Sequence, residues 1–115
     1  MRRSTLTTAL LALLIAELAS ATAVYHDAAD YQDPLAQAVM ECSDMISPVI
    51  AERSSALYAH LVRACCEDTA VLLEEGRSVE AASSTAIKCF SRTLLPRAAQ
   101  PDADRLINCI RRVLS

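Results

Sequence analysis

Cys42, Cys65, Cys66, Cys89 and Cys109 are the side chains with the widest chemical reach in this sequence, and His26 and His60 are its only imidazoles. A thiol nucleophile needs a base within hydrogen-bond reach. His60 stands five residues before Cys65 and His26 lies far upstream, so local spacing brings neither to a sulfur. The cysteines and histidines also lack the short paired spacing that zinc modules use. Glu67-Asp68 and Glu74-Glu75 read as solvated helix faces rather than ligand sets. The expectation is a chain with no catalytic residue, no cofactor and no metal site, whose cysteines serve structure.

The start of the chain indicates where those cysteines fold. Arg2 and Arg3 precede an apolar run over residues 9–16, and Ala21-Thr22-Ala23 fits the small-x-small rule of signal cleavage. Residues 1–23 are therefore expected as a secretory signal cut after Ala23, with a cut after Ala21 as second choice. The apolar run stops at Glu17, short of the roughly 20 residues that cross a bilayer, so stable membrane insertion is not expected. Secretion leads to an oxidising compartment in which disulfides persist.

Beyond residue 23 the chain carries nine basic and 13 acidic side chains. That balance excludes a basic stripe for nucleic acid and the cationic helices that attack anionic membranes. No single-sign face stands out. With one Phe and no Trp, a domain of this size has a thin core, and crosslinks must compensate.

The elements that position the cysteines read as helices. Residues 24–33 are polar and acidic without a burying period and are expected as a flexible arm. Its Tyr25 and Tyr31, set among carboxylates, are candidates for engaging a basic groove on a partner. Residues 34–115 form the helical domain. Asp33-Pro34 is an N-cap followed by a proline at the first helical position. Leu35, Val39, Cys42, Ile46 and Val49 then share one face. The preferred reading is a kinked helix from 34 to about 52 that passes through Pro48, and its rival breaks the helix at Ser47-Pro48. A second helix runs from about 55 to 75 with Leu57, Leu61, Cys65 and Leu72 inward, and ends at Gly76, the only glycine. Ser78 caps a third, with Val79, Ala82 or Ser83, Ala86, Ile87, Phe90 and Leu94 inward, which Pro96 ends. A fourth starts at Pro101 and buries Leu106, Cys109, Ile110 and Val113. No run alternates as a strand would. The fold class is all-α: a small, disulfide-stapled, up-down bundle of about four helices.

In such a bundle, residues equidistant from a turn sit at one height. Cys42 and Cys65 flank the first turn evenly, Cys66 and Cys89 the second, and Cys89 and Cys109 the third, so all five belong to one layer. The preferred pairing joins Cys42 to Cys65 or Cys66 and Cys89 to Cys109. The alternative joins Cys66 to Cys89 and Cys42 to Cys109. The odd cysteine is open to an interchain bridge making a homodimer, to burial as a small apolar residue, or to a bond with its neighbour.

By elimination, the expected function is that of a secreted, non-enzymatic binding protein, an extracellular effector or inhibitor of venom, salivary or body-fluid type acting on another extracellular protein. The alternative is a carrier of a small apolar ligand, its cavity lined by Leu35, Val39, Leu57, Leu61, Ile87, Phe90 and Ile110.

Overall fold

In the computed structural model, which describes residues 27–93 and 95–115, each helix begins where a side chain or proline prepares it. The Asp33 carboxylate accepts the backbone N–H groups of Leu35 and Ala36 at 2.8 and 3.0 Å and starts α1 (Pro34–Arg53). α1 runs unbroken through the exposed Pro48, so the break at 47 does not occur. On its buried side the Ser43 and Ser47 hydroxyls pair at 3.1 Å. Ser55 Oγ accepts the Tyr58 N–H at 3.2 Å and opens α2 (Ala56–Glu74).

Gly76, at φ +81°, turns the chain after α2. The N–H of Gly76 donates to the Leu73 carbonyl and that of Arg77 to the Leu72 carbonyl. These are the two bonds of a left-handed helix end. Ser78 then caps α3 (Val79–Arg92) by accepting the Ala81 N–H at 3.1 Å. α3 stops earlier than Pro96 requires: Thr93 turns extended, and its hydroxyl donates to the Cys89 carbonyl at 2.9 Å. After a short turn at Arg97–Ala99, α4 (Gln100–Leu114) begins with Pro101 in its first turn.

The result is a four-helix, up-down bundle with no strand among the described residues. α1 packs on both α2 and α4, α2 also on α3, and the α3–α4 seam is the thinnest. Met40, Ile50, Leu106, Val39 and Val62 are the largest fully buried apolar side chains.

The buried stripes differ from those expected by one or two positions. α2 buries Ala59, Val62, Cys66, Ala70 and Leu73, leaving Leu57 63% exposed and Leu61 at the rim. The side chains that α2 does bury are mostly small, a choice that suits close helix packing on α1. α1 likewise buries Ala36, Met40 and Ile50 and exposes Leu35, while α3 buries Ala82, Ala86 and Phe90 and exposes Ile87. Leu94 lies outside the described residues, as do residues 1–23, expected as a signal, and Tyr25 and His26.

From Asp27 to Asp33 the chain is docked rather than a solvated arm. Ala28–Asp30 form a single helical turn, Tyr31 is buried in the core, and its carbonyl accepts a hydrogen bond from the Gln37 amide. An acidic stretch can dock beside a carboxylate because its backbone makes that contact: Glu74 takes two of its N–H groups, while Arg63 lies 3.9 Å from the Asp27 carboxylate. Tyr31 is therefore a core side chain rather than part of a solvated arm.

Candidate functional site

The disulfides join Cys42 to Cys109 (Cα–Cα 5.9 Å) and Cys65 to Cys89 (5.5 Å). α1 is thus tied to α4 and α2 to α3. The preferred pairing is overturned, and the alternative is half right, with Cys65 in place of Cys66. The reason is angular. Neighbouring residues on a helix point about 100° apart: Cys65 faces α3, while Cys66 faces α1, where the Ser43 hydroxyl bonds to it. Cys42, beside Ser43, is turned toward α4.

Cys66 is the odd cysteine, fully buried. Burial pushes its thiol up to about 12, against the weaker downward pull of the Ser43 hydrogen bond. A thiol so protonated is a poor nucleophile, and an interchain bridge would need it at the surface. His60 is exposed, and no group of His, Cys, Asp and Glu among the described residues could hold a metal ion.

The expected ligand cavity is not assembled. Val39, Phe90 and Ile110 are core residues, whereas Leu35, Leu57, Leu61 and Ile87 stand exposed on three helices. Where Phe90, Ile107 and Ile110 meet across the α3–α4 seam, the space is about 10 Å³, enough for about one water.

Two polar assemblies were not singled out from the sequence. Arg63, largely buried, ties elements together: it hydrogen-bonds Asp44 of α1, lies 3.5 Å from Glu67 on its own helix and 3.9 Å from Asp27. Burial raises the Tyr31 phenol above its ordinary range, and Glu67 adds to that. The second assembly lies in an open groove of about 500 Å³ between α1 and α4. Its walls carry Met45, Asn108, Arg105, Arg111 and Arg112 beside the Cys42–Cys109 bridge. Arg105 Nη1 sits 3.5 Å from Asp102, a carboxylate only 2% exposed that also faces Arg53 at 3.4 Å.

Charge is segregated in a way the overall balance hides. Residues 27–75 carry ten acidic and two basic side chains, and residues 76–115 carry three acidic and seven basic. The difference lies along the chain: α1 and α2 are each net acidic, and the basic excess of residues 76–115 is shared by α3, α4 and the connections that carry Arg77 and Arg97. Counting charge by helix would have found it. So would the spacing of Arg105, Asn108 and Arg112, which places them along one side of a helix. Comparison with protein-family models, with curated proteins and with solved structures finds no match to this chain.

Proposed function

We propose that the chain is a secreted, non-enzymatic protein that acts by binding another extracellular protein. The observation that carries this reading is the pair of disulfides, each joining two helices, which hold a fixed scaffold while Met45, Leu57 and Ile87 remain at its surface. Two disulfides and the lack of any membrane-crossing helix among the described residues are compatible with life outside the cell. Exposed apolar side chains among charges suit a docking surface. Carriage of a small apolar ligand has less support: ligand pockets are concave and mostly apolar, whereas the interior space at Phe90 is about 10 Å³ and the larger space of about 410 Å³ beside it is an open surface groove that Ser91, Thr93, Gln100 and Arg111 help to line.

The reading is tested on protein recovered from the medium of secreting cells. Its first residue should be Val24, or Thr22 if the second cleavage choice is used. The immobilised, oxidised protein should then bind a member of a defined panel of extracellular proteins saturably, and a naphthylamine probe should show no saturable uptake. Retention inside the cell, or probe uptake without protein binding, reverses the reading.

A further inference from the structure

We infer that the α1–α4 groove is a docking site for an acidic segment of a partner protein, one that sets carboxylates against Arg111 and Arg112 and an apolar side chain on Met45. This rests on the binding-protein reading and gives it a place and a chemistry.

Three observations converge. First, Arg111 and Arg112 form no ion pair or hydrogen bond among the described residues, although acidic side chains outnumber basic ones in the chain. Arginine's planar fork matches a carboxylate in two parallel bonds, so these groups are equipped for such a partner. Second, Arg105 lines the same groove, 59% exposed with its Nη1 3.5 Å from the buried Asp102 one turn earlier, which adds a third cation to the groove wall. Third, Met45 is 60% exposed in the same groove, giving an adaptable apolar contact between the charges.

The chain's own acidic segment does not fill this groove. Asp27–Asp33 is held elsewhere, by Glu74 and Arg63 of α2. A nucleic acid fits less well, because the basic set is short and an acidic half flanks it.

The test uses the full oxidised protein and a short, fluorescently labelled glutamate-rich peptide with one central leucine, alongside its glutamine counterpart. The glutamate peptide should bind in a salt-dependent manner and shift the Met45 methyl resonance, and the glutamine peptide should do neither. Arg111→Glu with Arg112→Glu should weaken binding by about tenfold or more. Arg77→Glu with Arg97→Glu, the same charge change outside the groove, should weaken it by less than about twofold. Absent binding, an unmoved Met45 signal, or equal losses in both double variants would overturn the inference. So would protein dimerisation that the groove pair abolishes, since a second copy would then be the occupant. If a panel protein binds the wild type and the groove variant equally, the binding-protein reading stands and this groove is not its site.

Discussion

Glu74, at the last position of α2, accepts the backbone N–H of Gln32 at 2.9 and 3.0 Å through its two oxygens and that of Asp33 at 2.9 Å. One carboxylate at the end of one helix therefore fixes the entry to another, 41 residues earlier in the chain. Those N–H groups precede α1 and have no helical partner of their own.

The Glu74 contact is expected to hold the N-terminal segment in place. Glu74→Ala should speed amide exchange at Gln32 and Asp33 by about tenfold, corresponding to about 1.4 kcal/mol for charged hydrogen bonds open to solvent. Glu74→Gln, with one remaining carbonyl acceptor, should fall between. The buried Tyr31 should become more accessible in step. Unchanged exchange in both variants would show that Tyr31 packing alone docks the segment.

The two disulfides should differ in what they contribute. Cys42–Cys109 spans 67 residues and Cys65–Cys89 spans 24. In the chain-entropy model the longer loop gives about 4 kcal/mol and the shorter about 3 kcal/mol. Replacing Cys42 and Cys109 by Ser should lower the urea midpoint more than replacing Cys65 and Cys89. The opposite order would mean that native packing around Cys65, not loop closure, sets their weight.

Among the described residues, Gly76 is the one with a positive φ, where backbone conformation limits the choice of residue. Its φ of +81° suits glycine, and a Cβ built there would meet nothing within 4 Å. Gly76→Ala should therefore cost about 1 kcal/mol from backbone strain alone. Urea unfolding should show a lower midpoint with an unchanged slope. A loss of several kcal/mol would point to a disrupted α2–α3 turn rather than local strain.

What the sequence made legible follows from how local each signal is. The caps at Asp33 and Ser78, the turn at Gly76 and the proline at 101 act within a few residues, so the helix starts and the end of α2 could be read directly, whereas α3 ends at Arg92 through a Thr93 contact that the sequence did not announce. The common cysteine layer also followed, because it depends only on turn positions. The partner of each cysteine did not, because Cys65 and Cys66 share a height and differ only in azimuth. Azimuth is set by which helices touch, and a pattern weighted by side-chain size favoured Leu57 and Leu61 where close packing chose Ala59, Val62 and Ala70. The α1–α4 groove escaped notice for a related reason: spacing puts Arg105 and Arg112 on one side of α4, but that Met45 of α1 forms the facing wall depends on which helices touch.

Cys66 makes stability dependent on alkaline pH. Its thiol stays protonated in the folded protein up to about 12, whereas in the unfolded chain it ionises near its ordinary value of 9.0. Above that value the unfolded state binds fewer protons than the folded one, so stability must fall as pH rises, by up to about 1.4 kcal/mol per pH unit until the folded thiol itself ionises. Below 9.0 this contribution is fully present. Cys66→Ala should remove the slope between 9.0 and 10.0, the range below the ordinary value of the Tyr31 phenol, whose own raised pKa adds a slope of the same sign above it; urea unfolding at a series of pH values would measure both. The same burial predicts that iodoacetamide labels Cys66 only after denaturation. Once exposed, the thiolate can attack either disulfide, so wild-type protein unfolded at alkaline pH should refold with scrambled bridges, while the alanine variant recovers Cys42–Cys109 and Cys65–Cys89. Rapid labelling of native protein would place the sulfur near the surface and contradict its packing against Ser43.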